Sequence, residues 1–294
     1  MKKTWVLKND QLEVHIDHPL HGYHFSRFDW MGKIREVRFK GMQMTTSELL
    51  EETSESGVGL YNEFGIEQAV GFDEAQEGDY FHKIGVGQLR KEGLSYEFHH
   101  PYKMEPAVFI DQLEGNQLSL LSESRLLNGY AYILQKEISI HKDSLFIHYT
   151  LVNKGEKPFQ TAEYVHNFLA IDQARIGEDY ILKLPKTINE ALIGQIVNPD
   201  NIISFYGNEI RFKGGVKEVF FFSHLLCDKE VPAAWELIHQ NKKVSIKETG
   251  DYITRKINLW GNAHVISPEL FIDINVLPGE KQEWTRKYEF GELD

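Results

Sequence analysis

The sequence predicts an all-β protein built as a large antiparallel β-sandwich. Short segments in which apolar and polar residues alternate recur along the chain, separated by residues typical of turns, and helical periodicity is scarce. Many short strands spaced about 8–12 residues apart indicate a sandwich or a barrel. The 294 residues include no linker rich in proline, glycine or serine and no clear internal repeat, so we expect residues 1–294 to form one domain.

The clearest strands lie in the middle of the chain. Residues 136–140 and 145–152 alternate and are joined by a tight turn at 142–144. A second turn at 153–158 leads into a strand predicted over 159–171. The same alternation predicts strands towards both ends of the chain, at 11–17, 117–122, 243–248, 270–277 and 284–290. The polar segment 44–55 is weakly amphipathic, and its pattern suits a short helix.

The charge balance argues against several classes of partner. The net charge is −12, from 32 basic and 44 acidic residues, and such a surface repels the phosphates of nucleic acid. Nothing basic and amphipathic predicts a membrane-binding face, and no run approaches the roughly 20 apolar residues of a membrane span. Residues 1–10 lack an apolar leader, so we expect a cytoplasmic protein. The single cysteine, Cys227, cannot form an intramolecular disulfide and lies in an apolar run typical of a core.

Motifs for common chemistries are absent. The sequence contains no glycine-rich phosphate loop and no G-x-S-x-G elbow. Four histidines crowd the start of the chain, at His15, His18, His21 and His24. Pro19 and Gly22 interrupt this segment, and strand positions three apart face opposite sides, so these histidines predict turn or surface residues rather than a metal site.

Two polar residues stand out on predicted strands. His166 lies in an apolar, aromatic strand, where a single histidine is typical of a hydrogen-bonded core residue. Glu269 begins the strand that ends at the turn 278–280, and alone it is typical of a solvated carboxylate.

Taken in order, these segments resemble the aldose 1-epimerase (galactose mutarotase-like) family. Its members show a Leu-x-Ile strand, an Asn-x-Gly-x-x-Pro turn and a strand carrying histidine before an aromatic residue, and then a glutamate on a strand that precedes a Pro-Gly-Glu turn. The matching segments are 145–147, 153–158, 166–168, Glu269 and 278–280. The N-terminal half resembles a bacterial subgroup of that family at 26–32, 71–75 and 81–87.

The resemblance implies a fold, a reaction and a site. The fold is a large β-sandwich, the galactose mutarotase-like supersandwich, whose open concave face holds a small-molecule sugar. The reaction interconverts the α and β anomers of an aldose by two proton transfers, without a metal or organic cofactor. In this family's pattern Glu269 matches the base and His166 the acid.

The sequence departs from the hexose mutarotases at two motifs. A second histidine in a His-Gly segment and an arginine in an Asn-Arg pair are both missing. His82 or Lys83 could replace the histidine, and Arg27 could supply the cation unless it pairs with Asp29. The predicted substrate-binding residues are therefore Arg27, His82, Lys83, Asn167 and Trp260. Further aromatic candidates for stacking on a sugar, each on its own more typical of core, are Trp30, Tyr61, Phe72 and Phe168.

We therefore expect an aldose 1-epimerase-like isomerase that acts on a monosaccharide or a sugar derivative. The alternative is a non-catalytic carbohydrate-binding protein on the same scaffold. A glycan lyase or hydrolase is disfavoured because the chain lacks the helical domain that usually accompanies such sandwiches. If catalysis holds, the Glu269 carboxylate and the nearer ring nitrogen of His166 should lie about 4–8 Å apart and open onto an aromatic-lined pocket.

Overall fold

The computed structural model of the chain describes residues 4–226 and 230–293, and these residues are organised almost entirely as strands. Helix is confined, within those two ranges, to three single 3-10 turns at Ile171–Gln173, Glu190–Leu192 and Pro199–Asn201. Cys227, predicted to be a core residue, lies outside the described residues. The strands are β1 Thr4–Lys8, β2 Leu12–Asp17, β3 Lys33–Phe39, β4 Met42–Gln43, β5 Leu60–Phe64, β6 Tyr80–Lys83, β7 Gly87–Arg90, β8 Met104–Pro106, β9 Phe109–Glu114, β10 Gln117–Glu123, β11 Tyr132–His141, β12 Ser144–Asn153, β13 Phe159–Asn167, β14 Tyr180–Lys183, β15 Ile196–Val197, β16 Ile203–Tyr206, β17 Glu209–Phe212, β18 Phe220–Phe222, β19 Val231–His239, β20 Val244–Thr254, β21 Ile257–Asn262, β22 Val265–Val276 and β23 Lys281–Glu292.

Two large antiparallel sheets make up most of the molecule. The first has the order β1-β2-β3-β5-β13-β22-β21-β18-β15, with β4 beside β3. The second has the order β16-β17-β14-β19-β20-β23-β12-β11-β10-β9, and a small third sheet has the order β6-β7-β8. This architecture confirms the predicted all-β fold with large antiparallel sheets.

The main core lies between the two large sheets, and alternation explains how it forms. On β12, Leu145, Ile147 and Leu151 point inward and are buried, whereas their neighbours in sequence face outward. Burying one such aliphatic side chain contributes about 1.5–3 kcal/mol. On the neighbouring strand β23, the Trp284 ring stacks on Tyr149 with ring centroids 4.8 Å apart.

The predicted strands are present, but β11, β20, β22 and β23 extend several residues beyond their predicted bounds, and the strand predicted over 159–171 ends at Asn167. β20 continues through Gly250 to Thr254, because β23 pairs with it as far as Gly250 and β19 pairs with its last two residues. β22 begins at Val265 rather than at residue 270, because its first residues pair with β21.

Segment 44–55, which suits a short helix by its pattern, is not helical. Its hydroxyl groups bond to the local backbone instead: Ser47 Oγ donates to Leu49 O at 2.6 Å, and Ser56 N donates to Thr53 Oγ1 at 3.1 Å. Such contacts offer the backbone an alternative to a helical ladder. Across the described part of the chain, no helix is both long and apolar enough to cross a membrane.

The outer face of the first sheet is also covered, and this is where the candidate site lies. The segment that leads into β3, together with the third sheet, packs an aromatic cluster onto the middle strands β5, β13 and β22. Trp30, Tyr61, Phe72 and Phe168 belong to this cluster and are buried, as their core interpretation predicts.

Candidate functional site

His166 and Glu269 lie directly opposite each other on neighbouring strands. The ladder between β13 and β22 pairs Tyr164 with Phe271, and the isolated bridge from Leu169 to Ile266 continues the same register. Side chains opposite each other on one sheet face have Cβ atoms about 4.5–5.5 Å apart. His166 Nε2 lies 3.2 Å from Glu269 Oε1. The expected separation of about 4–8 Å is therefore wrong, since the two groups are in direct contact.

Ser267 completes a three-residue cluster on this face. Its Oγ lies 2.9 Å from His166 Nδ1 and 3.5 Å from Glu269 Oε1, and it accepts the Asn167 backbone N–H at 3.0 Å. A hydroxyl has one proton to donate. Because each ring nitrogen of His166 has its own oxygen partner, the imidazole is held in one orientation.

Burial shifts the pKa values of the pair in opposite directions. Only 4% of His166 and 5% of Glu269 are exposed. Burial raises the pKa of Glu269 from 4.5 to about 8, against the opposing charge of Arg27. Burial, with a further contribution from Arg27, holds the pKa of His166 well below its ordinary value. At neutral pH the pair therefore holds a single titratable proton, which lies on the carboxyl group, and the imidazole is neutral.

Arg27 reaches this face from the segment before β3. Its Nε donates to Glu63 Oε2 at 2.9 Å, and its terminal nitrogens lie 3.2 Å from Tyr164 Oη and 3.5 Å from Glu48 Oε1. The alternative pairing of Arg27 with Asp29 is wrong, because Asp29 forms an ion pair with Lys136 at 2.6 Å.

His82 and Lys83 are consecutive residues of β6, so their side chains point to opposite faces. Lys83 Nζ lies 2.8 Å from Tyr96 Oη and 3.4 Å from Glu63 Oε1, which joins it to Arg27 through a shared carboxylate. His82 instead places Nε2 3.0 Å from the Tyr130 carbonyl, and burial lowers its pKa to about 4. The structure brings Lys83 towards the site and leaves His82 on the far side of the hairpin.

Asn167 does not reach the site, which corrects its predicted role in binding substrate. It follows His166 in β13 and so faces the core between the large sheets, where it is fully buried. Its Nδ2 donates to Pro268 O at 2.6 Å and to Glu248 Oε2 at 3.2 Å, and its Oδ1 accepts from Tyr288 Oη at 3.0 Å. These contacts leave the side chain no surface for a ligand.

Aromatic rings enclose the His166 imidazole. Phe168 stacks on it with ring centroids 4.2 Å apart, and Phe28 meets it edge-on at 6.0 Å. Trp260, on β21, is half-buried, and its ring centroid lies 5.2 Å from that of His166. This apolar lining excludes water, which is the physical cause of the pKa shifts.

His166 and Glu269 are almost wholly buried, so they do not open onto the concave, aromatic-lined pocket that was expected. The Arg27 guanidinium lies over the Phe28 ring at 4.5 Å and over the Phe98 ring at 4.8 Å, so the cluster sits beneath a cation between two aromatic rings. A cleft of about 570 Å³ lies elsewhere and is lined by Ser47, Val58 and His264 among others.

Sequence reasoning missed Glu63, which organises the cationic side of the site. This carboxylate is fully buried on β5 and accepts hydrogen bonds from Arg27 Nε and from Tyr164 Oη, the latter at 2.7 Å. The available signal was an acidic residue inside a strand whose neighbours are all buried. Its partners are far away in the sequence, so no local pattern identifies them.

No model of a known protein family matches the sequence, and no curated protein matches it. Solved structures do match over nearly the whole chain. A galactose mutarotase related enzyme from Lactobacillus acidophilus is 10% identical with a TM-score of 0.60, and the match covers 99% of both chains. A galactose mutarotase-like protein from Lactobacillus casei is 12% identical with a TM-score of 0.60, and the match covers 98% of this chain and 100% of that one.

An aldose epimerase homologue from C. elegans is 10% identical with a TM-score of 0.56, and the match covers 99% of this chain and 100% of that one. The chain therefore has the fold of the galactose mutarotase-like proteins. At these identities the likeness establishes the fold alone, and any function has to be argued from the site.

Proposed function

We propose that this protein is an aldose 1-epimerase-like isomerase, which interconverts the anomers of a sugar by general acid–base catalysis. The observation that supports it most directly is that His166 and Glu269 share one sheet face, where burial shifts their pKa values in opposite directions. A proton donor and a proton acceptor stand 3.2 Å apart on one sheet face, in an apolar setting that shifts both pKa values. Opposed pKa shifts in two adjacent titratable groups are typical of acid–base sites.

Anomer exchange needs this kind of pair. The C1 hydroxyl oxygen and the ring oxygen share one carbon, so one group can take the hydroxyl proton while its neighbour protonates the ring oxygen. The ring opens, the C1–C2 bond rotates, and the reverse transfers close the ring on the other face. The pair begins and ends with one proton, so a complete cycle needs no exchange with solvent.

Glu269 acts as the base and His166 as the acid when the shared proton lies on the imidazole. At rest the proton lies on the carboxyl group, but both arrangements contain the same number of protons. Coupled groups titrate as a pair, so the pH profile reports the pair rather than either residue. Moving the proton from one group to the other does not change the charge of the site.

The surrounding residues suit a pyranose. Trp260 offers a partly exposed ring for the apolar face of a sugar. Arg27 has five N–H groups, of which Glu63, Glu48 and Tyr164 take three, so two can donate to sugar oxygens. Lys83 stands behind Glu63 and stabilises that carboxylate next to Arg27.

Anomer exchange should be measured by NMR exchange spectroscopy or polarimetry on a panel of hexoses, pentoses and sugar phosphates. We expect at least one aldose to exchange faster than in buffer, with a bell-shaped pH profile. If sugars bind and none is turned over, the alternative function, carbohydrate binding without catalysis, replaces this one. The mutual contact of His166 and Glu269 under Arg27 is the feature that favours this alternative, because a static hydrogen bond also satisfies both buried groups.

A further inference from the structure

Glu63 is fully buried on β5, and both of its carboxylate oxygens have donors next to them. Its Oε2 accepts from Arg27 Nε at 2.9 Å and from Tyr164 Oη at 2.7 Å, and its Oε1 lies 3.4 Å from Lys83 Nζ. Burial raises the pKa of Tyr164 well above its ordinary value, so the phenol keeps the proton that it donates. Glu63 therefore holds two cations and a phenol at one carboxylate.

The contact with Glu63 fixes the plane of the Arg27 guanidinium. The five N–H donors of a guanidinium lie in one rigid plane, so a bond at Nε also sets the direction of the terminal nitrogens. One of these lies 3.2 Å from Tyr164 Oη, and the other makes only a long contact of 3.5 Å with Glu48 Oε1. The Arg27 side chain is 16% exposed, whereas Arg286, between the two large sheets, is fully buried. Glu63 therefore holds its guanidinium at the edge of the site, where donors remain for a ligand.

The charge of Arg27 acts on both members of the His166–Glu269 pair. Burial raises the pKa of Glu269, the positive charge of Arg27 opposes that rise, and the negative charge of Glu63 adds to it. Arg27 also contributes, after burial, to the lowered pKa of His166. Without the charge of Glu63, Arg27 would act on the pair unopposed and favour the ionised form of Glu269.

Other charged groups around the pair are placed less well to offset Arg27. The Glu48 carboxylate makes the longer of the two carboxylate contacts with Arg27, at 3.5 Å against 2.9 Å for Glu63. Its side chain is 21% exposed, so solvent screens its charge more than that of the buried Glu63. The charged or titratable groups on the elements packed around the pair are Arg27, Glu48, Glu63, Lys83, Tyr164 and Lys256.

We infer that Glu63 is a positioning residue for the proposed reaction: it fixes the Arg27 guanidinium beside the His166–Glu269 pair and offsets the positive charge there. The effect on turnover rests on the proposed function, whereas the electrostatic effect concerns the pair in the free protein. Glu63 acts through Arg27 rather than on the sugar, because protein donors occupy both of its oxygens.

The first test is the titration of the pair without sugar. Glu63→Gln keeps the shape of the side chain and an acceptor oxygen but removes the charge. We expect Glu269 to lose its proton about one pH unit lower than in the native protein, because Arg27 then acts unopposed. Arg27→Met should displace this titration in the opposite direction, to higher pH. Carbon NMR of the Glu269 carboxyl group across pH measures both displacements.

The matched control is Glu163→Gln. Glu163 is also fully buried and bound to a guanidinium, that of Arg286 at 2.7 Å, but it lies on the opposite face of the same sheet. This variant should displace the titration of Glu269 by less than half as much as Glu63→Gln does. An equal displacement in the two variants, or none in Glu63→Gln, would overturn the inference.

A shorter carboxylate separates position from charge. Glu63→Asp keeps the negative charge but withdraws it by one methylene, which breaks or lengthens the contact with Arg27 Nε. The titration of Glu269 should stay nearer to native than in Glu63→Gln, while kcat/KM for the aldose turned over by the native protein falls about tenfold. In an Arg27→Met background the same change should have little further effect on turnover. Equal losses with and without Arg27 would refute action through Arg27.

The two measurements also separate this inference from the proposed function. A displaced titration in Glu63→Gln, with no sugar turned over by the native protein, would refute the proposed function and support the electrostatic role of Glu63. Turnover by the native protein, together with a native titration in Glu63→Gln, would support the proposed function and refute the inference.

Discussion

The two faces of β13 carry two different kinds of buried polar cluster. Glu163 and Asn167 face the core between the sheets, whereas Tyr164 and His166 face the candidate site. In the core, Arg286 binds Glu163 at 2.7 Å and Glu248 at 2.6 Å, and all three side chains are fully buried.

The difference lies in how charge is compensated. In the core, carboxylates are matched to a guanidinium and to further donors, such as Trp235 Nε1, which lies 2.7 Å from Glu248. At the site, His166 and Glu269 contact each other with opposite pKa shifts and one proton between them. The core network fixes the positions of strands, whereas the site leaves a proton free to move.

The largest effect should come from removing the carboxyl group at the site. Glu269→Gln keeps the shape and the hydrogen bonding but cannot accept the proton, so turnover should fall about 10²–10⁴-fold. Sugar affinity should change little. Exchange spectroscopy and calorimetry measure the two effects, with the exposed Glu283→Gln as the control. Unchanged turnover in Glu269→Gln would show that the base lies elsewhere.

Breaking the core network should affect stability rather than turnover. Arg286→Met leaves Glu163 and Glu248 buried without a cation, which should lower the free energy of unfolding by about 3–5 kcal/mol. Denaturant unfolding measures it. The control is Arg255→Met, which removes an exposed ion pair with Glu230 and should cost less than about 1 kcal/mol. Equal losses in the two variants would remove the distinction between the clusters.

The pH dependence of stability should distinguish the site from the core. Just below pH 6.5 the unfolded chain holds one proton on His166, and the folded pair holds one on Glu269, so their joint contribution changes little there. From 6.5 to about 8 the folded pair keeps its proton while the unfolded chain has lost it, so stability falls as pH rises. At 1.36 kcal/mol per pKa unit the fall is about 2 kcal/mol.

In the Glu269→Gln variant, stability should depend on pH in the opposite direction. The variant retains only the lowered pKa of His166, so its contribution is flat above pH 6.5 and lost as pH falls below that value. Measuring the free energy of unfolding across pH for both proteins gives the difference between them, in which the contributions of the other titratable groups cancel. A difference that does not decrease between pH 5 and 8 would contradict the raised pKa of Glu269.

The smallest effect concerns Ser267, a positioning residue. Ser267→Ala removes the oxygen partner of His166 Nδ1 and leaves the Asn167 N–H unpaired, so turnover should fall about tenfold. Nitrogen NMR of His166 should show a changed tautomer balance, which a purely structural loss would not produce. The control is Ser122→Ala, a buried serine whose hydroxyl has no partner in the described chain. An unaltered tautomer balance would contradict this role.

Strand alternation predicted the fold because many strands, such as β11 and β12, bury only one face. It did not predict the ends of β20 and β22, since their extra residues are held by pairing with distant strands. The structure of segment 44–55 was harder to predict, because Ser47 and Thr53 form hydrogen bonds with the local backbone. These bonds outweigh the weak amphipathicity of the segment.

At the site, the same alternation could have improved the prediction. Asn167 follows His166, and His82 precedes Lys83, so only one residue of each adjacent pair can face the site. The ion pair of Arg27 with Glu63 could not be foreseen, because it depends on where the segment before β3 crosses the sheet.

The register between β13 and β22 determines which changes in the sequence would move the residues of the site. Main-chain hydrogen bonds set the spacing of His166 and Glu269, so the loops around them can be rebuilt without moving either residue. A single insertion within β22 that slipped this ladder by one position would instead turn Glu269 towards the core. The spacing of this pair should therefore tolerate changes in the surrounding loops but not single-residue insertions in its central strands.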